Sequence, residues 1–179
     1  KATIASVNCV ERTVDGGQHQ FGEIQFAASL THAHYATRVE YQAEVALLSR
    51  NIVFRGDASS PPSDPQPAGT QCSDNQNSDV PCHNYYLTGH GGHLMVMGNA
   101  NAEISSVEFT RMGQTNKIGR YPVHLHLLGE RGADTFVKDC AVHESYYRGI
   151  VIHSTRNTLI TRNVAYDVAG HCYYLESGD

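Results

Sequence analysis

The feature that most constrains this chain is a short block that recurs along it, a small polar residue followed by alternating side chains. Asn51-Ile52-Val53-Phe54, Ser106-Val107-Glu108-Phe109, Asp139-Cys140-Ala141-Val142 and Asn163-Val164-Ala165-Tyr166 share the pattern, at intervals that shorten along the chain. A second apolar stretch recurs in the later units, as Pro122-Val123-His124-Leu125-His126, Gly149-Ile150-Val151-Ile152-His153 and Gly170-His171-Cys172-Tyr173-Tyr174. A period falling toward the low twenties, with two or three short strands in each, describes coils stacked through parallel strands. The small polar residue at the turn can run from coil to coil as a ladder of side-chain amides or carboxylates. A β-sandwich would need hairpin turns such as Asn-Gly, and none lies between the repeated strands. The expected fold class is therefore all-β, a right-handed parallel β-helix (a solenoid) with a long surface insertion. Ile52, Val107, Cys140 and Val164 should form one inward column.

The insertion is residues 57–83, which hold five of the six prolines and almost no large apolar residue. Such a segment cannot build a core and reads as a surface loop outside the coils. Cys72 and Cys82 lie within it, and a disulfide between them would staple the loop in an oxidising compartment. The other reading is that all five cysteines are ordinary thiols. No CxxC is present, so the spacing of a structural zinc knuckle is missing. The one helix candidate is Tyr41–Leu48, short and uncapped. With 13 basic against 18 acidic residues and a net charge of −5, a nucleic-acid binder driven by overall positive charge is excluded. No apolar run approaches the ~18 residues of a membrane span. The sequence stops directly after a strong strand, at Glu176-Ser177-Gly178-Asp179, which leads to the expectation of a longer parent polypeptide.

Several strings together resemble one known block: AEVALLSRNIVFRGD at 43–57, GGHLMVMG at 91–98, and VEFTRMGQTNKIGRYPVHLHLLG at 107–129. CAVHESYYRGIVIHSTRN at 140–157 and NVAYDVAGHCYYLESGD at 163–179 complete it. It is similar to the β-helix region of the family containing cell-migration-inducing hyaluronan-binding protein, transmembrane protein 2, and fibrocystin with its fibrocystin-like relatives. The resemblance covers about residues 27–179. It implies an extracellular or cell-surface ectodomain, in some members ciliary. It also implies that residues 1–30 are the tail of a preceding glycine-rich β domain and 31–179 the β-helix. Some members are associated with hyaluronan binding and depolymerisation, while the fibrocystin branch is receptor-like or structural. The loop at 57–83 is no signature of the family, and the glycine-rich domain is essentially missing here.

Candidate chemistry sits on the histidines, eleven in all. Residues two apart on a strand share a face, so His124 and His126 point outward if Val123 and Leu125 point inward. The repeat puts His153 one coil from His126, at about 4.8 Å. His124, His126 and His153 are thus a candidate site for a divalent metal such as zinc or copper. The alternative is a hydrogen-bonded polar ladder. For cleavage of an acidic polysaccharide, His124 and His126 could act as bases, with Arg120 and Arg148 steadying the developing charge. Those arginines could equally pair with Glu108, Glu130 or Glu144. His143-Glu144 lies at the bend before the His153 strand. His171 aligns with Val123 and Ile150 and should face the core, with Glu176 close by at the chain end. His90 and His93 flank the GHGGH turn. Two functions from different classes follow. One is a structural or receptor-like module contacting other domains of the parent chain or neighbouring extracellular proteins. The other is a carbohydrate-active domain binding or degrading hyaluronan or another acidic polysaccharide.

Overall fold

The computed structural model describes residues 2–14, 16–35, 37–57, 89–115 and 117–177. It divides into two compact units, Lys1–Val45 and Ala46–Asp179. Apart from Asp57, the insertion and both of its cysteines, Cys72 and Cys82, lie outside the described residues. Cys9, Cys140 and Cys172 are free thiols.

The first unit is built on an antiparallel hairpin of β1 (Ile4–Val14) and β2 (Gly17–Phe26), paired from Val14 opposite Gly17 to Ile4 opposite Phe26. The sequence carries a hairpin signal here, the pair Asp15-Gly16. Gly16 has φ +81°, the left-handed conformation that a two-residue hairpin connection requires. No helix forms over Tyr41–Leu48. A 3-10 turn, Val39–Tyr41, touches its first residue, and Val45 and Leu47 are exposed. Eight uncapped residues that bury almost none of their apolar surface do not recover the cost of helix nucleation.

The second unit is a parallel β-helix. Its strands are β3 (Ile52–Arg55), β4 (Leu94–Met97), β5 (Glu103–Ser105), β6 (Val107–Thr110), β7 (Val123–Gly129) and β8 (Phe136–Lys138). They continue with β9 (Ala141–Ser145), β10 (Ile150–Thr155), β11 (Leu159–Thr161), β12 (Val164–Val168) and β13 (Tyr173–Glu176). They form three sheets, in the orders β13-β10-β7-β4, β11-β8-β5 and β12-β9-β6-β3. Each pairing between these strands is parallel.

The coils turn at recurring left-handed corners. Ser106, Asp139 and Arg162 make one corner at φ 57°, 57° and 52°; Arg111, Glu144 and Asp167 make another at 53°, 48° and 49°. A left-handed L-residue costs roughly 1–2 kcal/mol. Hydrogen bonds between coils offset that cost, with Ser106 N donating to Lys138 O at 3.1 Å and Asp139 N to Thr161 O at 3.2 Å.

These corners correct the expected register of the last coil. Val164 pairs with Ala141, not Cys140, so the strand arrives one position earlier than the block alignment expects. A slip of one residue reverses the faces, which removes Val164 from the inward column. Asn163 takes the place opposite Cys140. Its Oδ1 accepts from Cys140 N at 2.9 Å and its Nδ2 donates to Val137 O at 2.9 Å. The small polar residue does tie coils together, through the backbone of the neighbouring rung. Likewise Tyr173, not His171, lies opposite Ile150, and His171 is exposed rather than core-facing.

The core runs through Val107, Phe109, Val123, Leu125, Val137, Cys140, Val142, Ile150 and Ile152. The outermost coils carry exposed apolar residues, Ile52 and Phe54 at one end and Leu159, Tyr173 and Leu175 at the other. Phe54 stacks on Phe109 at 5.4 Å between ring centroids. The interior of the last coil opens as a cavity of about 840 Å³ lined by Ile152, Ile160, Tyr173 and Leu175 among others.

Candidate functional site

The sheet β13-β10-β7-β4 decides which side chains meet on its outer face. Val123, Leu125, Ile150 and Ile152 belong to the core, so the residues between them face away from it. Parallel pairing then stacks two outer columns: Met97, His126, His153 and Glu176 in one, and Met95, His124, Val151 and Tyr174 in the other.

Three imidazoles meet where the columns adjoin. Nδ1 of His126 and Nδ1 of His153 are 3.1 Å apart. The His124 ring stands 4.7 Å from His126 and 5.9 Å from His153 between centroids, and is nearly parallel to the latter. One nitrogen from each ring lies within 4.8 Å of the other two. His124 is almost fully buried; its Nδ1 is 3.1 Å from Gly119 O. A carbonyl only accepts, so Nδ1 carries the proton and Nε2 keeps its lone pair. That Nε2 is buried and finds no hydrogen-bond partner among the described residues.

Burial pushes the His124 pKa down to about 4, against an opposing effect of the Gly119 hydrogen bond and with a smaller contribution from His126. His126 is also held below the ordinary histidine value, by burial first and then by His153. Neutral imidazoles with free lone pairs are the form that takes a metal. The donor set therefore fits a transition metal.

Beside the histidines lies an arginine held by tyrosines. The Arg148 guanidinium stacks 3.8 Å from the centroid of Tyr174, donates to the Tyr121 hydroxyl at 3.1 Å, and lies 3.5 Å from Glu176 Oε1. Tyr121 also reaches Glu176 Oε2 at 3.5 Å, and that oxygen is 4.0 Å from His153 Nδ1. His124, His126, His153, Glu176, Arg148, Tyr121 and Tyr174 thus form one connected polar group.

The family model for the CEMIP beta-helix matches residues 89–179, the segment that carries all three sheet strands bearing these side chains. The chain belongs to the CEMIP β-helix family. A G8 domain-containing protein of Dictyostelium discoideum is 44% identical over 155 residues, 87% of this chain and 9% of that protein. Communication mutant protein F of the same organism is 42% identical over 156 residues, 87% of this chain and 12% of that protein. Human cell surface hyaluronidase CEMIP2 is 35% identical over 147 residues, 78% of this chain and 10% of that protein. The chain thus spans about a tenth of the length of these curated relatives. No solved structure matches it.

Within this CEMIP β-helix unit the remaining sequence candidates go elsewhere. Arg120 turns to the GHGGH segment, its Nη1 donating to His93 Nε2 at 2.7 Å. It does not join Arg148. Burial and the Arg120 charge hold the His93 pKa low, which suits an imidazole that accepts this bond. The glycines of the segment serve close backbone packing. A Cβ on Gly91 would collide with Arg111 O, and Gly91 N donates to Gly113 O at 2.7 Å. His143 lies in the third sheet, bound to Glu108 at 3.1 Å and Glu144 at 3.2 Å. Glu130 pairs with Arg156, and His171 packs against Tyr174 at 5.1 Å between centroids.

Sequence reasoning left Tyr121 and Tyr174 out of the site and set Glu176 beside His171 rather than His153. The register of the last coil brings them in. The step from Ala141 to Val164, taken again from Val151 and His153, reaches Tyr174 and Glu176.

The depressed His124 pKa gives a stability prediction. The unfolded chain takes up this proton near the ordinary value of about 6.5, whereas the folded chain resists until about 4. Stability is therefore complete above about pH 6.5 and is lost as the pH falls toward 4. The shift corresponds to roughly 3 kcal/mol, reduced to about 2 kcal/mol by screening around the half-exposed neighbours His126 and His153. Urea melts with chelator present, at pH 7 and pH 4.5, should show this loss in the wild type beyond that in His124→Gln.

Proposed function

We propose that this chain is the β-helix module of a cell-surface or extracellular protein and that the outer face of sheet β13-β10-β7-β4 contacts its ligand. One observation carries the reading. A β-helix needs only solubility from its outer faces, yet here three histidines, a tyrosine-stacked arginine and a glutamate gather on one of them. Surface placement is supported by the human relative, whose name is cell surface hyaluronidase CEMIP2. Other domains of a longer parent chain are natural partners, because the chain spans about a tenth of its curated relatives.

A second reading, that the ligand is hyaluronan or another acidic polysaccharide, is favoured by the Arg148 group. A guanidinium lying on Tyr174 with Tyr121 and Tyr147 around it offers a cation for a uronate carboxylate and aromatic faces for sugar rings. The pairing of Arg148 with Glu176 keeps the arginine in place and must open for a carboxylate to bind. In the metal-free chain His126 would supply the base that cleavage requires.

Titration of the chain with hyaluronan oligosaccharides, followed by calorimetry, tests this, with chain length on gels reporting cleavage. Binding should weaken at least tenfold in Arg148→Ala. Cleavage, where present, should be lost in His126→Ala. Binding that survives in both variants would move the ligand off this face. Failure of every glycosaminoglycan to bind would leave protein contact as the function of the module.

A further inference from the structure

We propose that His124, His126 and His153 form a binding site for one divalent transition-metal ion of the zinc class. The site lies on the proposed contact face, but it depends on no glycan, so it can stand or fall separately.

Three observations converge on it. The first is the spacing of the two outer donors. A tetrahedral zinc ion with Zn–N bonds of about 2.0–2.1 Å needs its ligand nitrogens about 3.3 Å apart. Nδ1 of His126 and Nδ1 of His153 are 3.1 Å apart. That distance also suits a hydrogen bond, so the pair alone does not decide between an ion and a polar ladder.

His124 decides it. A ladder would satisfy His126 and His153 and leave Nε2 of His124 buried without a partner among the described residues, at a cost of about 1–3 kcal/mol. Its Nδ1 proton is committed to Gly119 O at 3.1 Å, which fixes the tautomer and presents Nε2 as a lone pair. A backbone carbonyl on the far nitrogen is the arrangement that orients metal-binding histidines. A metal ion removes the unsatisfied atom and uses the tautomer that the fold has already selected.

The third observation is what surrounds the rings. An anion, Glu176, stands one rung beyond His153, with an oxygen 4.0 Å from His153 Nδ1. It lowers the electrostatic cost of placing a cation here and can approach as a fourth donor. Met97 occupies the rung on the other side, opposite His126. A set of imidazoles with one carboxylate suits zinc, copper or nickel rather than calcium or magnesium, which take oxygen ligands.

Calorimetric titration of the 179-residue chain, stripped with chelator and held at pH 7.5, tests the site with Zn²⁺ alone and then Ca²⁺ alone. The expected result is one Zn²⁺ per chain and no Ca²⁺. His126→Ala and His153→Ala should each weaken Zn²⁺ at least tenfold, and both rings are half-exposed, so the coils should keep their far-ultraviolet circular dichroism. His171→Ala, which removes an exposed imidazole outside the group, should leave the affinity unchanged. Co²⁺ in place of Zn²⁺ should give a visible absorption band that His124→Gln alters. An affinity equal in wild type and triad variants, a stoichiometry above one that follows the exposed histidines, or no binding at millimolar Zn²⁺ would overturn the proposal.

Discussion

Leu125→Ala should destabilise the 179-residue chain by about 3 kcal/mol, within the 2–5 kcal/mol typical of a buried leucine truncated to alanine. Leu125 has no exposed surface and is held between Val96 on one neighbouring coil and Ile152 on the next. Parallel registration leaves those neighbours little freedom to close the void, because each is fixed by its own hydrogen-bonded rung. Leu175 stands in the same column, opposite Ile152, yet is 61% exposed because no described coil lies beyond it. Leu175→Ala should therefore cost less than about 1 kcal/mol in this chain. Urea unfolding followed by circular dichroism would compare the two. Equal losses would mean that burial along the column is uniform and the description of its open end is wrong.

Glu108→Ala should cost about 3 kcal/mol, the loss expected when a buried carboxylate that accepts from two N–H groups is removed. Glu108 faces outward from β6 but is buried, with Oε1 on His143 Nε2 at 3.1 Å and Oε2 accepting from Arg50 N at 3.0 Å. Alanine leaves the buried His143 Nε2 and the part-buried Arg50 N without an acceptor, although His143 keeps Glu144 at 3.2 Å on its other nitrogen. Glu108→Gln retains an oxygen for one of them and should lose only about 1–2 kcal/mol. The double variant Glu108→Leu with His143→Leu should recover much of the loss, because it removes both polar partners together. A cycle of the single and double variants, read by urea midpoint, measures this. Additive losses would show that the two side chains do not act as a pair.

The comparison of His124 with Arg120 shows how far residue patterns carried the site. Alternation along Pro122-Val123-His124-Leu125-His126 was enough to put both histidines on the outer face, since a strand has a period of two. It could not reveal that His124 is buried there while His126 is half-exposed. That difference comes from the chain around Gly119, whose carbonyl holds His124, and from the packing of Tyr121 at 4.8 Å between centroids. Arg120 was expected beside Arg148 from its place on the equivalent bend. Its long side chain instead reaches His93, 27 positions away in the sequence.

The alternating apolar blocks, the turn residues between them and the lack of helical periodicity determined by themselves that the repeated blocks coil as parallel β-strands. They also placed His153 beside His126, because the strands that carry those histidines match position for position from Val123 and Ile150 onward. Only the tertiary structure decided the last coil, whose register puts Glu176 beside His153 and takes Val164 out of the core. The physical reason is that local alternation specifies faces but not coil length. The length is set where left-handed corners such as Asp139 and Arg162 lock onto the neighbouring rung, and one residue more or less exchanges inside for outside.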